Sequence, residues 1–435
     1  MRVLDTDVLV IGGGTAGFAA ALAAARHGHR VSLVEATSKI GGVMAFCPGM
    51  PWGGGYPVGR SIGGIFDELT ERLVRATPPT ALVRPSTLEN FGAEVIYDHE
   101  AATFTMFEML EEVGVRLHLN TIAGSPQLDN GRIAAVDGFD RRGPLSFGTG
   151  IVIDCSGDGD ISAKAGVPYT VGNGSGDMMG VTLSFTMIGA DWERVFAEDD
   201  PYFTRYATQG IARGELHPDL AQLYLMKGFH PGAVFCNTVH IRGVDGTDPD
   251  SVTRATQEGR RRCRALARFL IESVPGFEKA RMIDLGPTVG VRETRRLQAQ
   301  LRVTGDAIAR ATKFEDGIVA CDNPVDDVMR GDGGAMTHDA AVTHGAYYTI
   351  PLRALIPQSI PNLLFAGRLI CADAVAFASV RGMPQCMAMG QAVGTTAAFA
   401  LSRQCPVQEV PHSAVVASLV AQGINRIGDG IPHAA

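Results

Sequence analysis

Short apolar runs separated by glycine-rich punctuation dominate the first third of the chain. Asp7 to Ile11 (DVLVI) is continuous and rich in β-branched residues, the pattern of a strand buried on both faces. Phe18 to His27 is alanine-rich and predicts a helix, and His29 to Val34 (HRVSLV) predicts a second strand closed by Glu35. Strand, helix and strand within about thirty residues predict one βαβ unit with a parallel sheet and a right-handed crossover. Ile65 to Arg75 and Ala102 to Val113 read as helices. Val115 to Asn120, Arg132 to Asp137 and Gly150 to Cys155 read as strands, with a hairpin turn at Arg141-Arg142-Gly143. Cys47 to Gly64 is too dense in Pro and Gly for regular structure.

After Gly166 the segments lengthen and mix. From Ser251 to Ser273 an amphipathic helix is expected, with Val252, Ala255, Cys263, Leu266, Ala267 and Leu270 on one face. Asn362 to Ala366 (NLLFA) predicts a short strand and Met387 to Leu401 a helix rich in Ala and Gly. The fold class expected is α/β, a Rossmann-like domain with a mixed α+β substrate domain. Residues 1–166 and a return segment at 351–404 would form the first domain and residues 167–350 the substrate or cap domain. Residues 405–435 would form a weakly packed tail.

Composition narrows the function classes. At 435 residues and 46.0 kDa, two or three lobes are expected, and a chain this long needs no disulfide or metal staple. Hydrophobic residues at 46% and charged residues at 19% exclude a disordered chain. The net charge of −8 argues against a nucleic-acid or anionic-membrane partner. The basic run Arg260-Arg261-Arg262, with Arg264 and Arg268, lies on the polar side of the amphipathic helix and reads as a solvated face. Eight scattered cysteines, with no CxxC and no Cys/His pair at zinc spacing, predict reduced thiols and no metal site. The apolar stretch at Phe18 to Ala25 lacks a basic leader, and no run of about 18 apolar residues exists, so a cytoplasmic protein without a membrane span is expected.

The strongest chemical signal is Gly12-x-Gly14-x-x-Gly17 between a strand and a helix. Glycine allows the tight turn at Gly12, the close approach of a pyrophosphate at Gly14 and the close helix–strand packing at Gly17. The helix opening near Thr15 and Ala16 points free N–H groups and its positive dipole end at phosphates. Glu35 follows Gly14 by about 20 residues, where a carboxylate accepts ribose hydroxyls and repels a 2′-phosphate. Gly41-Gly42 suggests a second tight pass of the chain beside the same ligand. The strand Ile151 to Cys155 runs into Ser156-Gly157-Asp158-Gly159-Asp160, and NLLFAGR (Asn362 to Arg368) adds a late strand, Gly367 and Arg368. A nicotinamide dehydrogenase does not need that distant return, whereas an extended FAD collects loops from both chain ends. FAD is therefore the expected cofactor, with an NAD-dependent dehydrogenase as the alternative.

With DVLVIGGGTAGFAAALAAAR, KIGG, IVIDCSGDGDISAKAGVP, VGVRETRRL, YTIPLRALIP and NLLFAGRLI in place, the chain resembles the FAD-dependent oxidoreductases of glutathione-reductase-type fold. These are related to the flavoprotein subunits of fumarate reductase and succinate dehydrogenase. The resemblance runs to about residue 401 and implies that Gly12, Gly14 and Gly17 cradle the pyrophosphate, that Glu35 binds the adenosine ribose, and that Gly41-Gly42 lie along the cofactor. It implies adenine binding at Ala123, ribityl contacts from Gly367 and Arg368, and a helix opening near Cys386-Met387 aimed at flavin N1 and O2. Cys47 has no partner cysteine nearby, so dithiol chemistry is not expected. Ala36 to Ile40 contains no histidine, so the FAD is expected to be non-covalent, with Cys47 read as an ordinary thiol.

Hydride transfer to a flavin needs a group that takes the accompanying proton and cations that orient a polar substrate. His338 and His344 flank HDAAVTHGAYY, followed by Tyr347 and Tyr348. Arg292 and Arg295 are candidate carboxylate clamps, with a buried ion pair to Glu293 or an aspartate as the plainer reading. Arg381, just ahead of the flavin-facing helix, is the stronger candidate. Trp52 and Tyr56 either cover the ring or simply pack. The reaction expected is oxidation of a small polar substrate at a CH–OH or CH–NH carbon. The alternatives are reduction of an activated C=C bond and a non-catalytic flavin-holding subunit. The acceptor (oxygen, quinone or carrier protein) and a homo-oligomeric state stay open.

Overall fold

The strand Arg2–Ile11 forms the middle of a largely parallel sheet, because its apolar run Val8 to Ile11 is buried on both faces. The computed structural model describes residues 2–86, 90–330 and 336–426. Val31–Val34 and Gly143–Asp154 flank the central strand in parallel, in the register Val8↔Val31 and Val8↔Ile151. Arg116–His118 pairs in parallel with Val31–Val34 on the outer side. Leu363–Phe365 returns from far along the chain to pair in parallel with Val152 to Asp154. The first half of Gly143–Asp154 pairs antiparallel with Arg132–Asp140, which pairs with Ile122–Asp129. This last strand was not expected from the sequence, since its outward positions Ile122 and Leu128 interrupt the polar alternation.

Helix Thr15–Arg26 crosses the sheet and is buried almost throughout, which is why it shows no amphipathic stripe. It packs on helix Met383–Arg403, and the approach is close enough to forbid side chains. A Cβ at Gly390 would sit 2.0 Å from the Ala16 carbonyl oxygen, and one at Gly394 would sit 2.3 Å from that of Ala20. The second helix begins at Met383, ahead of the expected Met387, because Pro384 in its first turn is a favoured start.

The second lobe is a four-stranded antiparallel sheet in the order Leu225–Lys227, Val234–Ile241, Val181–Ile188, Arg281–Leu285. Val181–Ile188 (VTLSFTMI) alternates strictly. Val181, Leu183, Phe185 and Met187 enter the apolar core beneath helix Pro249–Ser273, and Thr182, Ser184 and Thr186 face the other way. That helix starts at an Asp248 cap and, of the arginine run, Arg261 and Arg262 pair with Glu258.

Two apolar cores result. The cap core draws on residues from Val181 to Val289, whereas Leu297, Val303, Ile318, Val319 and Tyr348 belong to the core of the first lobe. The segment after Cys405 is not loose up to Ile424: helix His412–Ala421 buries Val415 and Leu419 in that first core. In the Pro/Gly-rich loop, Trp52–Gly53 forms a short strand paired with Ala93–Tyr97, itself paired with Ala81–Pro85. Among the described residues no helix is long and apolar enough to cross a membrane.

The helix contact gives a direct test. Gly390→Ala places a methyl group against backbone that cannot move aside, and should destabilise the protein by about 1–3 kcal/mol. Denaturant unfolding of the variant beside the parent measures it, and an unchanged midpoint contradicts the contact.

Candidate active site

The first glycine-rich turn is built by contacts that leave no room for side chains. Gly12 has φ +93°, and a Cβ there would meet the Cys155 carbonyl oxygen at 2.4 Å. A Cβ at Gly17 would overlap the Gly12 carbonyl oxygen at 1.8 Å. Gly14 differs: its missing Cβ would meet nothing nearer than 3.9 Å, so the space in front of it is open. Gly14 precedes helix Thr15–Arg26, which has no side-chain cap and no acidic residue in its first turn. Its leading N–H groups are therefore offered to an external anion. Glu35 Oε2 accepts from the Gly13 N–H at 2.8 Å, and Oε1 accepts from the Thr37 N–H at 2.9 Å, which fixes the carboxylate beside the turn. Gly41 N–H donates to the Gly13 carbonyl at 2.7 Å, so the Gly41-Gly42 pass does run against the turn.

Two further segments close on the same place. Asp154, fully buried, accepts from the N–H and hydroxyl groups of both Ser156 and Ser162 and so shapes the Ser156-Gly157 turn. Arg368 lies against Gly157 and pairs with Asp158 at 3.3 Å, while its Nη1 is buried without a partner. Gly367 faces Ala16 and Cys386, and helix Met383–Arg403 also begins without a side-chain cap. Burial pushes the Cys386 thiol up to about 12. Ala123 pairs with Gly138 near the end of the sheet, close to where the Thr121 N–H donates to the Glu35 carbonyl.

A buried polar cluster lies between the cap sheet and the first lobe. The strands Val325–Val328 and Met336–Asp339 pair antiparallel with Asp326 directly opposite His338. His338 Nδ1 lies 3.2 Å from Asp326 Oδ1, a contact too poorly aligned to be a hydrogen bond. Arg381 donates to Asp326 Oδ2 at 2.6 Å and to its carbonyl at 2.8 Å. Phe91 and Tyr224 stand edge to face on the His338 ring at 6.0 and 6.1 Å. Burial alone would raise the Asp326 carboxyl, but Arg381, His338 and Arg292 outweigh it and hold it well below the carboxylate range. Among the described residues Arg292 donates to neutral oxygens only, the Gly180 carbonyl at 2.9 Å and Thr182 Oγ1 at 2.6 Å. Burial, with Arg381 adding to it, pulls Arg292 down to about 10.

Comparison with known proteins bears on what this arrangement is. The family model of the FAD dependent oxidoreductases matches residues 7–419. The chain belongs to that family. FAD is its cofactor and the protein is an FAD-dependent oxidoreductase, which sets aside the NAD-dependent alternative and the non-catalytic subunit. One curated relative, 4-oxocyclohex-2-ene-1-carboxylate 5-dehydrogenase of Sinomonas cyclohexanicum, is 38% identical over 79 residues, 18% of this chain and 13% of that enzyme's length. Among solved structures, p-nitrophenol 4-monooxygenase of Pseudomonas putida aligns over 97% of this chain and 84% of its own, with 11% identity and a TM-score of 0.50. Aklavinone-11 hydroxylase, in complex with FAD and aklavinone, aligns over 93% and 64%, with 14% identity and a TM-score of 0.51. At these identities the likeness concerns the fold.

The residues of this FAD-dependent oxidoreductase fit the cofactor: a bare helix start, open space before Gly14 and an unpartnered arginine nitrogen face one crevice. Of the other expected residues, the structure brings His338, Arg381 and Arg292 together and leaves the rest outside. His344 is exposed in the turn before Gly345. Tyr347 packs beneath the Lys313 ammonium, 3.6 Å from its ring centre. Arg295 turns to Asp160 and to the Asp158 carbonyl. Glu293 is bound by Arg296 and Arg330 instead of Arg292 or Arg295. Trp52 is fully buried on Tyr97 and Phe66, a packing role, and half-buried Tyr56 stands on Phe66. Met387 is buried one turn into its helix. All eight cysteines are free. Sequence reasoning missed Asp326 and His240; the polar residues inside the apolar strand VFCNTVHI were the available signal for the second.

Asp326→Asn should cost about 3–5 kcal/mol near neutral pH, because it leaves the Arg381 guanidinium without its carboxylate. A depressed folded-state pKa stabilises above the unfolded value of about 3.9 and fades as pH falls through the folded one. The stability gap between parent and variant should therefore narrow below about pH 4. Urea unfolding across pH measures it, and a gap that does not change on acidification contradicts this charge assignment.

Proposed function

We propose that this enzyme oxidises a small polar substrate at a CH–OH or CH–NH carbon, with His338 as the base. The observation that carries the reading is the His338 ring, set opposite Asp326 and between two aromatic rings, with both ring nitrogens buried and without a hydrogen-bond partner among the described residues. Bound FAD supplies the hydride acceptor, N5 of its ring. Asp326 holds the imidazole in place and stabilises the imidazolium formed when His338 takes the substrate proton. Arg381 keeps Asp326 ionised, so the carboxylate is not itself the proton acceptor. Arg292, with no carboxylate partner among the described residues, would hold an anionic part of the substrate. The carboxylate acted on by the partial relative named above is in keeping with this.

For the cofactor, Gly12, Gly14, Thr15, Ala16 and Gly17 would hold the pyrophosphate and Glu35 the ribose. Backbone at Ala123 would meet the adenine. Gly41, Gly42, Ser156, Gly157, Gly367 and Arg368 would line the remaining length. The first turn of helix Met383–Arg403, including Cys386 and leading to Met387, would face the flavin ring. The antiparallel strands Ile122–Asp129 and Arg132–Asp140 set on a parallel sheet support the glutathione-reductase-type reading of the fold.

His338→Ala should slow anaerobic flavin reduction by roughly 10²–10⁴-fold while leaving FAD bound. Stopped-flow bleaching with a panel of hydroxy acids, amines and saturated carboxylates provides the measurement. An unchanged reduction rate removes His338 from the chemistry.

A further inference from the structure

The outer side of the cap carries a groove that the chemistry above does not use. It runs between helix Pro249–Ser273 and the strand Arg281–Leu285 and has a volume of about 540 Å³. Small-molecule sites have volumes of this order. Met282 and Leu285 stand opposite Met187 and Phe185 in the sheet, so they share the face that packs on the helix. The groove is therefore on the far side of the cap sheet from the face where Thr182 meets Arg292. Ala267 and Ile271 of the helix complete an apolar floor.

The walls of the groove are cationic. Arg260, Arg264 and Arg268 stand one helical turn apart on one side, and Arg281 stands on the other. The basic run of this helix thus divides by partner. Arg261 and Arg262 turn to Glu258, and Arg262 also to Asp219. Arg268 holds Glu272, the one carboxylate among the lining residues, at 2.8 Å. Arg260, Arg264 and Arg281 are exposed and have no carboxylate partner among the described residues. In a chain of net charge −8 these three guanidinium groups reverse the local sign beside an apolar floor. Each offers a planar fork that matches a carboxylate.

We propose that this groove binds an anionic amphiphile, a single dissolved molecule with a carboxylate on an apolar chain or ring. The head group would meet Arg264 and Arg281, which approach from opposite walls, while the tail covers Ala267, Ile271, Met282 and Leu285. Burying the tail supplies the attraction and the arginines supply the choice of charge. A second copy docked here about a two-fold axis would set like rows of arginines against each other.

Titration calorimetry of the FAD-loaded enzyme at low salt tests this, with decanoate below its micelle concentration as the probe. Decanoate should bind without moving the visible flavin spectrum, whereas decanoate held in the crevice would move it. Decyltrimethylammonium, with the same chain and the opposite charge, should not bind. Butyrate, with the same head group and a short chain, should bind roughly tenfold more weakly or worse. The double variant Arg264→Gln/Arg281→Gln should keep the parent's thermal midpoint and lose roughly fivefold or more in decanoate affinity. The pair Arg264→Lys/Arg281→Lys, which keeps the charge, should lose less. Decanoate that fails to bind overturns the proposal, as does decyltrimethylammonium that binds as tightly. Undiminished binding in the glutamine variant overturns it too, since the probe then sits elsewhere. Without decanoate binding, co-sedimentation with phosphatidylglycerol vesicles or capture of a hexaglutamate peptide would assign the arginines to a lipid surface or an acidic protein segment instead.

Discussion

Two helices can lie as close as Thr15–Arg26 and Met383–Arg403 only where side-chain bulk is missing, and the whole site depends on that approach. Gly390 and Gly394 let the late helix rest on the carbonyls of Ala16 and Ala20. The contact joins the two ends of the chain and sets two uncapped helix starts beside one crevice. Dispersion and burial supply the attraction; the absence of two methyl groups decides the geometry. The returning strand Leu363–Phe365 and the turn at Gly367 then fall into place against the first lobe.

Across the crevice the problem is electrostatic. A buried charge is tolerated when it is matched and bonded. Glu293, held by Arg296 and Arg330, is matched within the protein and serves the fold. Asp326 is shared between Arg381 and His338. Among the described residues Arg292 meets only a carbonyl and a hydroxyl. Four arginines, Arg292, Arg296, Arg330 and Arg381, thus differ in whether a carboxylate of the described residues answers them.

What was readable in the chain follows the distance over which each feature is determined. The βαβ unit with its Gly12, Gly14 and Gly17 turn and Glu35 is local, and it stands where expected. The late strand and Gly367 were readable because their apolar run and glycine are equally local. Asp326 was not, since its role comes from lying opposite His338 in an antiparallel register that no sequence spacing announces. His344 and Tyr347 look like companions of His338, but the chain turns at Gly345 and carries them outward. Arg292 and Arg295 read as one clamp, yet they end on different partners. Residues 405–435 read as a tail because helix His412–Ala421 is apolar on most of its faces and shows no one-sided stripe to signal its docking.

The strand Val181–Ile188 separates two kinds of change by the thickness of one backbone. Substituting Leu183 or Phe185 touches the apolar core beneath helix Pro249–Ser273, while substituting Thr182 or Ser184 touches the polar contacts with His240, Arg292 and Cys47. The same eight residues thus carry an apolar and a polar set of contacts on opposite faces. Sliding that strand by one position would exchange the two roles at once, so its alignment with Val234–Ile241 is the least negotiable feature of the lid.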